Sequence, residues 1–237
     1  MRRTAGLMWA AVAAISFSSL SAQETGEGKS EKSVDKAEQK ADVTWKVLFN
    51  GKDLTGWEPA KGFEFGEKAN VSVADGCLML GTGNPAAGVR WTGPFPKTHY
   101  EVRLEGKRAE GSDFFCGLTF PAGEGGATLI LGGWGGWVVG LSSINGELAA
   151  DNESCGVVEF KNDRWYRVRL RVTDERVQVW VDDERIVNVE REGRKFTVDS
   201  RMEPCLPLGI ATWITKGALR DIRYRTLSNE ELAGEKK

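Results

Sequence analysis

The sequence has little of what metal binding and nucleophilic catalysis require. It contains one histidine, His99, and its four cysteines lie far apart, with no Cys-x-x-Cys pair. A zinc site and a Ser-His-Asp arrangement are therefore not indicated. An exported chain can form disulfides, but a domain of this size does not need them. Both buried free thiols and one disulfide remain open for Cys77, Cys116, Cys155 and Cys205.

Charge of one sign and long apolar runs are scarce as well. The formal net charge is -2, from 32 basic and 34 acidic residues, so nothing indicates a nucleic-acid partner. The apolar run from Leu7 to about Leu20 is shorter than the roughly 20 residues of a membrane-spanning helix. Because Arg2 and Arg3 precede it and small residues follow, it predicts a secretory signal peptide over residues 1–22, with a membrane anchor as the alternative. We expect an exported protein, periplasmic or secreted, with no membrane span after cleavage.

The rest of the chain divides by composition. Residues 23–42 are highly charged with mixed signs and have almost no large apolar side chain, which predicts a flexible linker. Residues 43–228 alternate short apolar runs with Gly, Asn and Asp, as expected of one folded domain. Residues 229–237 form a charged C-terminal tail.

Within the domain the hydrophobic period is two, as in strands with one buried face. In residues 165–172, apolar side chains alternate with Arg167, Arg169 and Arg171, and residues 176–181 and 184–190 continue as a three-strand meander. Further strands are predicted over 73–80 (a hairpin at Asp75-Gly76), 99–105, 114–120, 127–132, 136–141, 207–213 and 219–225. Many short strands without helical stripes predict an all-β antiparallel sandwich or jelly roll, with a closed barrel as the alternative.

One motif resembles a known family. The string LFNGKDLTGW, residues 48–57, is similar to the opening signature of the 3-keto-disaccharide hydrolase domain family, and the order of later strands is similar over about residues 46–226. The resemblance implies a concanavalin-like jelly roll that cleaves 3-keto-glycosides. A ketone at C3 acidifies the C2 proton, so a base can remove it and expel the glycosidic oxygen from C1. A second group must stabilise the enolate, and in some members of the family a divalent metal is thought to do so.

The sequence departs from the family pattern at several positions. Phe115 and Cys116 stand where the family commonly has an Asn-Ser pair, followed here by Gly117. Val138 and Ser143 replace two expected carboxylates. Either other groups catalyse, or the domain binds without catalysing.

Three candidates for acid–base chemistry follow. Asp113, in the segment before the Phe115 strand, is the carboxylate nearest to the family's site segment. Glu153 lies in the polar loop 142–154, which follows the tryptophan-bearing segment and could also hold calcium through clustered oxygens. His99 is the only side chain whose ordinary pKa lies near neutrality. An ordinary surface or loop role is the alternative for all three.

Four residues are candidates for carbohydrate binding: Trp134, Trp137, Asn152 and Trp213. Trp134 and Trp137 are three residues apart, so an ideal strand would point them to opposite faces. A bulge at Gly135 and Gly136 would bring them to one side. Packing in the sheet is the alternative for each tryptophan.

The sequence thus predicts a carbohydrate-active exported domain. A hydrolase or lyase for 3-keto-glycosides is the first hypothesis, and a lectin-like binding module or a structural surface domain is the alternative. The Arg167, Arg169 and Arg171 stripe fits either an acidic sugar ligand or a solvated outer sheet face.

Overall fold

A computed structural model describes residues 44–66 and 70–235, so the expected signal peptide and most of the expected linker lie outside the described residues. The described chain is almost entirely β. Its strands are β1 (Lys46–Val47), β2 (Trp57–Pro59), β3 (Val71–Ala74), β4 (Cys77–Leu80), β5 (Ala86–Trp91), β6 (Tyr100–Gly111), β7 (Cys116–Ala122), β8 (Gly125–Gly133), β9 (Val138–Ser142), β10 (Gly156–Val157), β11 (Tyr166–Val172), β12 (Arg176–Val181), β13 (Glu184–Glu190), β14 (Gly209–Trp213) and β15 (Thr215–Thr226). Two 3₁₀ helices, Phe63–Phe65 and Ser200–Cys205, and one α-helix, α1 (Asn229–Glu235), complete it.

The strands form two antiparallel sheets. The first sheet has the order β13-β12-β11-β6-β15-β4-β3, with β1 also paired to β15, and the second has the order β10-β9-β8-β7-β14-β5-β2. Among the described strands no pairing joins the two sheets, so the fold is the expected sandwich and not a closed barrel. No helix of the described chain is both long enough and apolar enough to cross a bilayer.

The main core lies between the sheets and follows from the alternation in the sequence. Along β11, Tyr166, Val168 and Leu170 are buried while the arginines between them reach the other face, which confirms the predicted stripe. The meander of β11, β12 and β13 is confirmed, as is the hairpin of β3 and β4, whose turn residues Asp75 and Gly76 both have positive φ.

A second, smaller apolar cluster covers the outer face of the second sheet. Phe65, Met202 and Cys205 from the two 3₁₀ helices pack there. The sheet presents small residues to them: a Cβ on Gly209 would lie 2.5 Å from the Cys205 carbonyl oxygen, and one on Gly88 would lie 2.9 Å from the Phe65 ring. Because Gly88 and Gly209 have no side chain, the two 3₁₀ helices can lie directly on the sheet.

The structure decides between the alternatives for the cysteines, and it places the two tryptophans outside the strands. All four cysteines are free, and three of them are buried, so the free-thiol alternative applies. Trp134 and Trp137 lie not in a strand but at the two ends of the hairpin turn between β8 and β9, and the nearby bulge falls between Leu131 and Gly133. Residues 229–235, expected in a charged tail, form α1, whose first turn Ser228 caps by accepting a hydrogen bond from the Glu231 N–H.

Candidate functional site

A pocket opens at the end of the second sheet, where β7 begins and β8 and β14 end. Its cavity volume is about 190 Å³. The residues that line it are Asp113, Phe114, Ile130, Trp134, Ser142, Leu148, Asp199, Arg201, Met202 and Trp213. It is smaller than the roughly 300–1,000 Å³ of sites for drug-sized ligands. The volume therefore suits one ring better than a chain of rings.

Asp113 is the central ionisable group of the pocket. It lies between β6 and β7, where its backbone N–H donates to the Thr215 hydroxyl at 2.9 Å and its carboxylate accepts from the Phe114 N–H at 2.7 Å. Burial raises the pKa of Asp113. The N–H groups of Phe114 and Gly135 and the charge of Arg108 oppose this effect without cancelling it. A carboxylate with a raised pKa is a stronger base than an ordinary aspartate.

The turn between β8 and β9 is folded against Asp113. The backbone N–H groups of Trp134 and Gly135 lie beside its carboxylate and favour the charged form. The Trp134 side chain is 46% exposed, so its indole is open to a ligand at the pocket. Tight turns of this kind need positive φ, which Trp134, Gly135 and Gly136 all adopt.

Arg108, on β6, locks this turn from behind. It is 6% exposed and donates hydrogen bonds to Asn162 Oδ1 at 2.6 Å and to the Phe160 carbonyl oxygen. Its Nη1 also lies 3.5 Å from the carbonyl oxygens of both Asp113 and Gly136. The buried guanidinium therefore ties the Asp113 segment to the tryptophan turn.

The opposite wall comes from the second 3₁₀ helix. Arg201 donates from Nε to Asp199 Oδ1 at 2.7 Å and from Nη2 to Oδ2 at 3.0 Å. The hydrogen bond from Arg201 lowers the pKa of Asp199, which stays ionised. The Arg201 guanidinium lies 5.8 Å from the ring centroid of Trp213, which in turn packs against Phe114 at 6.1 Å. Trp213 is thereby held at the rim of the pocket.

The structure brings together three of the seven predicted site residues: Asp113, Trp134 and Trp213. Trp137 is 50% exposed at the far end of the same turn as Trp134 but does not line the pocket. None of the other three predicted residues lines it either. Their roles as site residues stay predictions.

Each of those other three residues, Glu153, Asn152 and His99, contacts other groups of the protein. Glu153 forms a hydrogen-bonded ion pair with Arg194, whose hydrogen bond lowers the pKa of Glu153. The Asn152 amide nitrogen donates to the carbonyl oxygens of residues 141, 147 and 148 and so holds the loop 142–154. His99 Nε2 lies 3.0 Å from Asp174 Oδ2 at the start of β6.

The positions that depart from the family pattern offer no acid or base. Phe115 is fully buried and packs on Phe160 with 5.1 Å between ring centroids. Cys116 is also fully buried, and burial raises the pKa of its thiol to about 12. Val138 packs against the second cluster, and Ser143 is buried with its N–H bonded to the Thr197 carbonyl oxygen. None of these four positions therefore presents an ionised side chain to the pocket, whose lining includes the carboxylates of Asp113 and Asp199.

Sequence reasoning missed Ser142, Asp199 and Arg201. The last two come from the segment after β13, which has neither strand periodicity nor a motif. Ser142 accepts a hydrogen bond from the Ala149 N–H at 2.9 Å, which leaves its hydroxyl proton available to a ligand. Only the path of the chain brings these residues to Asp113.

The fold of the described domain is similar to that of carbohydrate-active proteins. It matches domain 4 of AbnA, an extracellular GH43 arabinanase from Geobacillus stearothermophilus in complex with arabinotriose, with TM-score 0.51 and 14% identity over 81% of this chain and 96% of that chain. It also matches a prokaryotic β-1,3-1,4-glucanase (lichenase) derived from a mouse hindgut metagenome, with TM-score 0.51 and 12% identity over 78% of this chain and 99% of that chain. At these identities the similarity shows the jelly-roll fold alone.

The family follows from the sequence itself. Residues 44–225 match the model of the 3-keto-alpha-glucoside-1,2-lyase-like domain. The chain belongs to this family, as the LFNGKDLTGW motif indicates. The chain matches no curated protein.

Proposed function

We propose that the protein is an exported enzyme that cleaves 3-keto-glycosides, with Asp113 as its base. The observation that carries the proposal is the half-buried Asp113 carboxylate, whose pKa is raised, in a one-ring pocket beside Trp134 and Trp213. Family membership supports the reaction, and the basic start and apolar run of residues 1–22 support export.

The pocket offers both apolar and polar groups to a sugar ring. The Trp134 and Trp213 indoles provide flat apolar surfaces for the C–H faces of the ring. The Ser142 hydroxyl and the Arg201 guanidinium provide hydrogen-bond donors for its oxygens. A ketone oxygen at C3 placed toward Arg201 would accept a hydrogen bond from Nη1, the guanidinium nitrogen that does not bond Asp199.

The proposed reaction is a β-elimination. The Asp113 carboxylate takes the proton from C2, the electron pair forms the C1–C2 double bond through the C3 enolate, and the C1–oxygen bond breaks. Arg201 stabilises the negative charge on the enolate oxygen. The carboxylic acid formed at Asp113 then returns the proton to the departing glycosidic oxygen. Water addition to the resulting enone completes a net hydrolysis.

One carboxylate is sufficient for this cycle because it acts first as base and then as acid. The use of a single carboxylate fits the pocket, because Asp199, the other carboxylate in its lining, has both oxygens bonded to Arg201. A parent glycoside without the ketone has no acidic C2 proton and should not react.

The residues present do not fit a bound divalent metal. A calcium ion takes about six to eight oxygen ligands. In the described residues no group of three His, Cys, Asp or Glu side chains could hold a metal. Because both Asp199 oxygens are bonded to Arg201, the proposed reaction uses no metal.

A lectin-like binding module is the second candidate. The half-exposed indole of Trp134 beside Trp213 favours it, because aromatic platforms are sufficient for sugar binding without any base. Binding and catalysis make different demands on the same pocket. Binding needs the indoles, and cleavage needs the Asp113 carboxylate as well.

The test uses the protein without its leader and a panel of 3-keto-glycosides with their unoxidised parents, with and without added divalent metal. We expect cleavage of the ketones alone, with no requirement for metal. Asp113→Asn should abolish cleavage and still bind the ketone, as measured by tryptophan fluorescence. Asp183→Asn is the matched control, because Asp183 is an exposed carboxylate that pairs with Arg167 on the other sheet.

Three results separate the candidates. Ketone-specific cleavage lost in Asp113→Asn supports the enzyme. Binding of the sugars without cleavage, reduced in Trp134→Ala and Trp213→Ala, assigns the pocket to a binding module. Cleavage that persists in Asp113→Asn overturns the role of Asp113.

A further inference from the structure

The outer face of the first sheet carries an unusual row of like charges. Arg169 on β11 lies directly opposite Arg103 on β6, and Arg103 lies directly opposite Arg223 on β15. Like charges directly opposite each other destabilise a sheet. The row therefore needs compensation from carboxylates of the protein or from a ligand.

Glu101, one row along, supplies only part of this compensation. It is fully buried, and its carboxylate lies 2.8 Å from Arg103, 2.8 Å from Arg171 and 3.3 Å from Arg225. Glu231 of α1 adds a second carboxylate, at 2.6 Å from Arg225. These two acids thus contact three arginines, namely Arg103, Arg171 and Arg225.

The row itself keeps unused donors. Arg223 pairs with Asp221 at 3.1 Å, but its Nε is buried and finds no hydrogen-bond partner among the described residues. Arg169 has no carboxylate partner in the described part of the chain. It stacks on Trp180, with its guanidinium carbon 3.6 Å from the ring centroid. Arg169 is thus held by a ring and not by an ion pair among the described residues.

A groove of about 310 Å³ lies over the row. Its lining residues are Arg103, Leu104, Glu105, Arg167, Val168, Arg169, Asp182, Asp183, Asp221 and Arg223. The four acids in this lining are already paired: Glu105 with Arg220, Asp182 with Arg164, Asp183 with Arg167, and Asp221 with Arg223. These four acids therefore have partners of their own, and Arg169 is the arginine in this lining that has no ion-pair partner among the described residues.

Indole rings border the row at both ends. Trp180 lies under Arg169, and Trp45 lies 4.8 Å from Arg103 and 5.1 Å from Arg223. Stacking on a ring holds a guanidinium plane in place, and a planar guanidinium matches a carboxylate through two parallel hydrogen bonds. The two rings lie outside the lining of the groove and act by fixing these guanidinium planes, and the family of the chain makes a carboxylate-bearing saccharide the ligand expected there.

We propose that this groove is a second binding site, which takes the carboxylates of an acidic saccharide such as an oligo-uronate. Arg169 binds one carboxylate, and Arg103, whose Nε and Nη2 contact Glu101, adds positive charge beside it. The site lies on the opposite sheet from Asp113 and does not depend on the proposed reaction. It would hold the protein on an acidic glycan while the pocket acts on another sugar.

The experiment uses the protein without its leader. It is titrated with tri-galacturonate, with a neutral trisaccharide of similar size, and with a short DNA oligonucleotide. Calorimetry at low and at physiological ionic strength gives the Kd. We expect Arg169→Gln to bind tri-galacturonate about tenfold more weakly than the unsubstituted protein, since a charged hydrogen-bonded pair is lost. Arg169→Lys, which keeps the charge but not the fork, should lie between them.

Two controls fix the interpretation. Arg90→Gln removes the same charge from the second sheet, where Arg90 pairs with Glu58, and should leave tri-galacturonate binding unchanged. Asp113→Asn should also leave it unchanged, so failure of the proposed reaction and failure of this site are distinguishable. Thermal unfolding of each variant verifies that it folds.

Three outcomes overturn the proposal: no binding of tri-galacturonate at low ionic strength, equal loss in Arg169→Gln and Arg90→Gln, or equally tight binding of the DNA oligonucleotide. The last would make the face a general polyanion surface. Selective loss in Arg169→Gln supports the site.

Discussion

Two neighbouring glycines in the tryptophan turn allow a direct test of how Asp113 is held. Gly135 (φ +85°) has open space around the position of an added Cβ. At Gly136 (φ +101°) an added Cβ would lie 2.7 Å from Arg108 Nη1 and 3.0 Å from the Ser112 carbonyl oxygen. Both alanine variants strain the backbone, but only Gly136→Ala also displaces Arg108.

The expected losses follow from these surroundings. An L residue in the left-handed region costs about 1–2 kcal/mol, so Gly135→Ala should lose about that much stability. Arg108 is buried and hydrogen-bonded to Asn162, and a hydrogen bond to a charged group contributes about 1.5–3 kcal/mol. Gly136→Ala should therefore lose about 2.5–5 kcal/mol, the sum of the two costs and two to three times the loss of its neighbour.

Urea unfolding followed by tryptophan fluorescence measures both losses. Cleavage of a 3-keto-glycoside by the folded fraction gives the second measurement, and Gly136→Ala should show the larger fall because the Asp113 segment loses its tie to the turn. Equal losses of stability in the two variants would refute the reasoning that Arg108 locks the turn.

Four further predictions concern ionisable groups. Because burial raises the pKa of Asp113, its charged form costs stability at neutral pH, so thermal unfolding of Asp113→Asn at pH 7 should occur at or above the wild-type temperature. The base must be ionised to act, so cleavage should be lost as the pH falls through the pKa of Asp113, which lies above the ordinary 3.8. A pH–rate profile measures this. Glu101→Gln should lose about 3–5 kcal/mol in urea unfolding, because three arginines lose their buried partner. The hydrogen bond from Arg225 lowers the pKa of Glu231 from 4.5 to about 2, so its contribution is present above pH 4.5 and disappears as the pH falls toward 2; Glu231→Gln should flatten acid unfolding in that window.

The sequence predicts the strands whose signal is local. The meander over β11 to β13 is readable because apolar and charged side chains alternate and Asp182-Asp183 marks a turn. β5 was missed, since its first residues, AAG, have little intrinsic preference for a strand. Its state depends on pairing with β14 and β2, which are distant in the chain. Tertiary contacts therefore decide what propensity leaves open.

The candidate site was likewise only partly predictable from the sequence. Asp113, Trp134 and Trp213 are identifiable one by one from residue type and family order, but their meeting point is not. The strand interpretation placed Trp134 and Trp137 on opposite faces, whereas positive φ at three consecutive residues turns the segment into a loop. Arg201 reaches the pocket only because its 3₁₀ helix lies across the second sheet.

That covering helix also determines the kind of substrate the pocket can take. The small residues Gly88, Gly209 and Ala211 let Phe65, Met202 and Cys205 rest on the sheet face, so these side chains cover the part of the face on which they pack. A polysaccharide strand laid along the sheet would collide with these side chains. If Asp113 is the base, the reacting ring must therefore enter as the end of a chain or as part of a small glycoside. Shortening the 3₁₀ helix Ser200–Cys205, and not substituting Asp113, is the change that would convert the pocket into a groove.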